Sequence, residues 1–373
     1  MTAVYLDYNA TAPIRPEALA AVRDALGIGG NPSSVHAAGR RARTVVETAR
    51  ADVGRMVGAS PASVTFTSGG TEANALAISS AVASGISRIV VGATEHDAVR
   101  ASAEATTGVE VVVWRVDARG VADLGWLTDN LTGPKTLVCL MSANNETGVI
   151  QPVAEAARMV RDADGWLHVD AVQSAGKHAI DFTTLGADTL ALSAHKLGGP
   201  QGVGALVAGP RATLHRQMNG GGQERGLRAG TENVSGIAGF GAAAKASLEQ
   251  LTLNRRVWRD ALAETLEARG AVVLGEGADR LHQTLCVATP DFPAELQVMA
   301  LDLAGVMISA GAACSSGKMK PSQVVTAMGR PDLAPGAIGI SGGWASTEND
   351  WVRCGEAWIE AHQRRSKRVM EYA

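Results

Sequence analysis

Five stretches of the chain set reactive side chains beside backbone that can use them. His195 and Lys196 close the apolar run 190–192, and glycines follow at 198, 199, 202 and 204. A lysine drawn partly out of water near other cations loses basicity and becomes an amine nucleophile. The glycines let another backbone come close to it. Residues 166–170, Trp-Leu-His-Val-Asp, put the acid Asp170 at the C-terminal end of a buried strand, the edge where open α/β sheets bind ligands. Residues 68–72, Ser-Gly-Gly-Thr-Glu, lie between a strand and a helix. Exposed N–H groups and a hydroxyl at a helix start make a phosphate site. No GxxxxGK[ST] pattern is present, so this is not a nucleotide-binding P-loop. His96 follows another strand. Cys314 is surrounded by small residues in Ser-Ala-Gly-Ala-Ala-Cys-Ser-Ser-Gly (309–317), which have no apolar period. That marks a thiol on a mobile, exposed loop rather than a core filler.

Taken singly, each stretch has a plain structural reading as a turn, a helix cap or a solvated charge. Together, a lysine, a strand-end acid and a phosphate loop suggest pyridoxal phosphate (PLP). Lys196 would hold its aldehyde as a Schiff base, Asp170 its protonated ring nitrogen, and Thr71 its phosphate. His96, on the same sheet edge, would stack on the ring and carry protons.

The elements needed to position these groups are legible too. Short β-rich runs at 64–67, 88–91, 109–116, 136–141, 166–169, 189–192 and 203–207 alternate with helical patterns, among them 72–83 and 152–161. This order predicts an α/β fold with right-handed crossovers and a mostly parallel sheet buried on both faces. Leu19, Val22, Ala25 and Leu26 share a helical face that Gly27 ends. A long helix is expected over 246–270 and a final one from 349 to about 369. The division expected is a large α/β domain at 16–245 and a small α+β domain made of 1–15 and 246–373. Cys139 and Cys286 fall in apolar strand runs and Cys354 in a helix, all reading as core residues. The four cysteines form no CxxC pair among 373 residues, which points away from zinc and toward a reducing cytoplasm. The net charge of −3, with no block of like charge, argues against nucleic acid or an anionic membrane as partner. The N-terminus lacks a secretory pattern, and no apolar run approaches the roughly 20 residues of a bilayer span.

The sequence resembles a cysteine desulfurase of the NifS/IscS type, in the class-V aminotransferase family of fold-type-I PLP enzymes. The likeness rests on YLDYNATAP (5–13), GNPSSVH (30–36), TSGGTEAN (67–74), the EH pair (95–96), NNETG (144–148), HVDAVQS (168–174), SAHKLGGPQGVG (193–204), GGGQERGLRAGTEN (220–233) and SAGAACSSG (309–317). The run 318–329 resembles the subclass with a long catalytic loop. The resemblance implies that Lys196 carries the coenzyme, His96 stacks on it as acid/base, Asp170 pairs with its ring nitrogen and Gln173 bonds its phenolic oxygen. Gly70, Thr71, Ser193 and His195 would hold the phosphate. Asn145 would contact coenzyme or substrate carboxylate, and Thr231 would reach the phosphate of a neighbouring subunit in a homodimer. Cys314 would take sulfur from L-cysteine as a persulfide, release alanine, and pass the sulfur to an acceptor protein for iron–sulfur clusters.

One position departs from the resemblance. Where the family carries an arginine in a segment like IRxSLG, residues 337–343 read Ala-Ile-Gly-Ile-Ser-Gly-Gly, with Gly339 in the arginine's place. Losing a bidentate contact to the substrate carboxylate in a dry site costs roughly 2–5 kcal/mol. That departure leaves open a lyase or aminotransferase acting on another substrate, and a weakened or inactive scaffold that keeps the fold.

Overall fold

The computed structural model describes residues 3–131, 135–251, 254–311 and 320–372. The strands, in chain order, are β1 (Val4–Tyr5), β2 (Val64–Thr67), β3 (Arg88–Gly92), β4 (Glu110–Trp114), β5 (Thr136–Met141), β6 (Trp166–Asp170) and β7 (Thr189–Ser193). They continue as β8 (Gly204–Ala208), β9 (Val272–Val273), β10 (Thr284–Ala288), β11 (Val306–Met307), β12 (Ser309–Ala310) and β13 (Ala337–Ser341).

Seven of them form the central sheet in the order β2-β8-β7-β6-β5-β3-β4. All its neighbours pair in parallel except at β8, which runs antiparallel to both β2 and β7. The C-terminal ends of β2, β3, β5, β6 and β7 therefore share one edge. Strands β5 and β7 are buried at every residue, as a sheet covered on both faces requires. A second, antiparallel sheet has the order β12-β13-β10-β9, and β1 pairs with β11.

The two largest of the hydrophobic clusters among the described residues are separate, one in each sheet system. One packs Val138, Leu140, Leu167, Val169, Leu190 and Leu192 against Phe66, Phe240 and Trp114. The other gathers Val4 and Leu6 with Leu285, Ile338, Ile340, Trp351 and Trp358. Helix Val234–Glu249 lies against helices Pro16–Leu26 and Ala37–Met56. A Cβ at Gly241 would sit 2.6 Å from the Ala49 Cα, so that crossing requires glycine.

The structure corrects three expectations. The single helix over 246–270 is two helices, Val234–Glu249 and Arg256–Glu267. The first helix ends at Glu249 with Gln250 as its C-cap, and the second starts after Arg255, where the Asn254 side chain accepts the Arg256 amide at 2.9 Å. In the first helix Ala18 and Ala25 face inward and Leu26 is exposed, because small residues set the close packing there and the stripe is narrower than the apolar pattern. The fourth strand is shorter than 109–116, spanning Glu110–Trp114. The final helix runs from Glu348 to Tyr372. Among the described residues no helix is long and apolar enough to cross a membrane.

Candidate active site

A cavity of about 460 Å³ opens along the shared edge of the central sheet. Nine of the residues expected from sequence line it: Gly70, Thr71, His96, Asn145, Asp170, Gln173, Ser193, His195 and Lys196.

At one end, β2 gives way through Ser68 and Gly69 to helix Gly70–Ala83. The Glu72 carboxylate accepts the Ser68 N–H at 2.7 Å and pairs with Arg228 at 2.8 Å, which ties the turn to the 220–233 loop. Gly70 is pressed against the ends of β6 and β7, since a Cβ there would stand 2.8 Å from Val172 Cγ2. Gly204, at the start of β8, lies so close beneath Gly69 that a Cβ would fall 2.5 Å from its carbonyl carbon. Ser193 and His195 complete this end. Burial, with the charges of Lys196 and Lys177, pushes the His195 imidazole down to about 4.

Asp170 ends β6 on the inner wall. Val172 N–H donates to its Oδ1 at 2.9 Å and Asn74 Nδ2 to its Oδ2 at 2.8 Å. Asn74 is itself held through its Oδ1 by His168 Nε2 at 2.8 Å, and His168 Nδ1 meets Thr189 Oγ1 at 2.8 Å. Burial drives His168 down to about 3, so it is the neutral ring. With Nε2 donating to the Asn74 oxygen, the amide N–H₂ must face Asp170. The tautomer of one buried histidine thereby fixes the orientation of the carboxylate.

Lys196 sits in a tight turn just past β7, half-buried, with Nζ donating to Asn9 O at 2.6 Å and Ala10 O at 3.0 Å. Burial lowers its basicity, and the Asp170 and Asp7 charges partly restore it. The sequence reading had it close to other cations, and Lys177 is such a neighbour. Gln173 donates from Nε2 to Asn9 O at 2.9 Å and accepts from Lys177 Nζ at 2.9 Å. His96 caps helix Asp97–Glu104, its Nδ1 accepting the Ala98 N–H at 3.0 Å, which leaves Nε2 as the protonated nitrogen of the neutral ring.

Two expected residues lie apart. Thr231 is exposed in a small separate cleft with Ser68, Arg228 and Gly230. Cys314 lies outside the described residues, beyond Gly311 at the cavity wall. Cys139, Cys286 and Cys354 are free and buried, as expected.

Gly339 lines the cavity from the middle of β13, between Cys286 on β10 and Ser309 on β12. A Cβ there would meet Ser309 Oγ at 3.1 Å and otherwise open space. Among the described residues the cavity's basic side chains other than histidine are Arg100, Lys196 and Lys320. Arg330, near position 339 in sequence, is spent on Asp332 at 3.0 Å.

Several lining residues had no assigned role from sequence. Asn9 sits in YLDYNATAP and Asn74 one helical turn past Gly70, a spacing that signals a shared face. Glu95 is buried; its Oε1 accepts the Met141 N–H and its Oε2 has no partner among the described residues. Burial, then the Asp170 charge, raise it well above the carboxylate range. It is a neutral acid that does not compete with Asp170 for a cation. Glu146 accepts from Ser322 Oγ at 2.6 Å, and burial raises it to about 7.

Residues 4–350 match the family described as aminotransferase class-V. The chain belongs to that family. It is 44% identical over 351 residues to a cysteine desulfurase of Cereibacter sphaeroides, covering 91% of each chain. It is 37% identical to the cysteine desulfurase IscS of Dictyoglomus turgidum, covering 93% of this chain and 91% of that one. A solved NifS-like protein superimposes with a TM-score of 0.90 at 31% identity, over 98% of this chain and 100% of the other. Within the class-V family the chain is of the NifS/IscS cysteine desulfurase type, whose cofactor is PLP. The residues present fit that group. The cavity offers a low-basicity amine, an oriented carboxyl on its inner wall, and a glycine-lined helix start with a serine and a histidine beside it, the donor set that an aldehyde, a pyridinium and a phosphate demand.

Proposed function

We propose that this chain is a PLP-dependent cysteine desulfurase that takes sulfur from L-cysteine onto Cys314, releases L-alanine, and hands the sulfur to an acceptor protein for iron–sulfur cluster assembly. The observation that carries the reading is the gathering of Lys196, Asp170, His96 and Gln173 in one cavity that Gly311, three residues before Cys314 in sequence, also lines. Bound there, the coenzyme supplies an electron sink for the bond changes at the substrate's Cα and Cβ.

The chain's own residues do the rest. Lys196, less basic than a solvated lysine, offers its amine to anchor the coenzyme. Asp170, oriented by Asn74 and Val172, would hold the ring nitrogen. Gln173 would hold the phenolic oxygen, and Gly70, Thr71, Ser193 and His195 the phosphate at the helix start. His96 would stack on the ring and move a proton through Nε2. Asn145, whose backbone oxygen is fixed by Asn9 at 3.0 Å, presents its side chain to the cofactor or the substrate carboxylate. The Cys314 thiolate attacks the substrate sulfur. A sulfur–sulfur bond forms, the carbon–sulfur bond breaks, and its electron pair goes to Cβ, which takes a proton and leaves in alanine. Cysteine and one protein thiol thus become alanine and one protein persulfide.

The domain division is large at 16–245 and small at 1–15 with 246–373; the two separate cores support it. A homodimer in which Thr231 reaches the partner's phosphate site accounts for a threonine exposed outside its own cavity. A reducing cytoplasm suits three free buried thiols. The test is to supply the coenzyme-loaded protein with L-cysteine. Alanine should form in equal amount to persulfide or sulfide, and Cys314→Ala should stop it. No alanine from the wild type, or alanine that survives Cys314→Ala, overturns the reading.

A further inference from the structure

A second cavity, of about 40 Å³, shares only Lys196 with the first. Its polar lining is Tyr8, Arg15, Lys177, Arg255 and His282 with Gln250 and Gln283, and among the described residues that line it there is no aspartate or glutamate. Arg15 and Arg255 are 5% and 8% exposed, and neither forms a salt bridge among the described residues. A buried guanidinium is ordinarily paired, because stripping its water without a counter-charge is expensive. Here two are brought together and held by neutral groups. Arg15 donates to Leu197 O at 2.7 Å and Gln250 Oε1 at 2.9 Å, and its guanidinium lies 5.5 Å from the centre of the Trp344 ring. Arg255 reaches Trp344 O at 3.4 Å.

Polar atoms are left over. The donors Arg255 Nε and Gln283 Nε2, and the acceptor Gln283 Oε1, are buried with no partner among the described residues, and Gln283 is 2% exposed. The backbone N–H of Arg255 donates to His282 Nδ1 at 3.2 Å, and the ring's other nitrogen is engaged by the Lys177 backbone, so His282 is held in place as a neutral wall of the cavity. Water would satisfy such donors but not the charge. A cavity of about 40 Å³ has room for a monatomic anion or a few waters.

We propose that this cavity binds a small monovalent inorganic anion of halide size, held between Arg15 and Arg255 with Gln283 and Lys177 completing its surroundings. Burial, and for Lys177 the Lys196 charge, already push Lys177 down to about 7, and burial lowers Arg15 to about 10, the strain an anion would relieve. The site is joined to the catalytic cavity through Lys177, which holds Gln173 Oε1 at 2.9 Å and Asn9 Oδ1 at 3.2 Å.

The test uses the holoenzyme crystallised in sodium bromide, with diffraction recorded at the bromine edge. An anomalous peak between Arg15 and Arg255 is expected. In solution at constant ionic strength, replacing a bulky organic anion by bromide should raise Tm saturably, and Arg255→Gln should weaken the apparent bromide affinity at least about tenfold. A wild-type map with water alone in the cavity, or a Tm that ignores bromide, overturns the proposal. Should Arg255→Gln fail to fold, Gln283→Leu serves in its place, and an unchanged bromide response there also counts against it. Each readout is independent of desulfurase turnover.

Discussion

Restoring an arginine at position 339 probes how the substrate carboxylate is held. Gly339 lies in the centre of β13, has no left-handed φ, and faces the catalytic cavity, so a side chain can enter without backbone strain. Among the described residues the nearest contact of a new Cβ is Ser309 Oγ at 3.1 Å, followed by Ser309 O at 4.0 Å. That hydroxyl bonds Gly339 O at 3.4 Å and also supports the Asp7 carboxylate, so turning it aside costs about 1 kcal/mol or somewhat more. Ordering an arginine costs about 2 kcal/mol of rotamer freedom. A bidentate guanidinium–carboxylate pair in such a site is worth roughly 2–5 kcal/mol when one partner is removed. Set against those two costs, the net gain in cysteine binding is up to about 2 kcal/mol, or up to about 30-fold. For Gly339→Arg in coenzyme-loaded enzyme we expect KM for L-cysteine to fall by that factor with kcat changed much less, measured by initial rates of alanine formation. An analogue without the carboxylate, cysteamine, should show no gain. If KM for cysteine is unchanged while the coenzyme absorbance shows full loading, the carboxylate is held elsewhere, with Arg100 or Lys320 as the cavity's remaining cations, and the reasoning from position 339 fails.

Three further outcomes follow from the geometry. Asp170→Asn replaces an acceptor by an N–H₂ that must face either the Val172 N–H or the Asn74 amide donor, and it removes the charge opposite the ring nitrogen; kcat should drop on the order of a hundredfold, read by alanine release. Glu146, raised by burial from 4.5 to about 7, binds its proton more tightly in the native state; its stabilising contribution is complete below about pH 4.5 and is lost as pH rises through about 7. Glu146→Gln should flatten the fall in Tm between pH 5 and 8, a difference worth up to about 3 kcal/mol. Glu224→Gln breaks the bidentate pair with the buried Arg50, at 2.7 and 2.8 Å, and takes charge from the acceptor of the Phe66 N–H; denaturant unfolding should show a loss of about 3 kcal/mol.

The central sheet was readable because its strands are buried on both faces, so apolar runs and element order carry its topology. Strand β8 reads like any other buried run, and only pairing shows that it is reversed. The one long helix failed because the chain leaves helical geometry between Glu249 and Arg256, in a stretch with no glycine or proline to announce the break. The catalytic residues were legible for a related reason. Asp170, Ser193 and Lys196 stand at strand ends, where a polar residue after an apolar run marks the ligand edge. The groups that tune them were not. His168 lies inside the strand, and its meaning depends on Asn74, 94 residues away, which only folding brings within 2.8 Å. The same is true of the unpaired arginines. Nothing in the sequence around Arg15 or Arg255 marks them for burial, and their meeting around a shared cavity is a property of how the first residues return to the C-terminal part of the chain. Local pattern thus reports which side chains can do chemistry. Charge state and orientation are set by partners remote in sequence, and for this enzyme such partners orient Asp170 and set Glu95 and Lys177 as neutral acid and weak base.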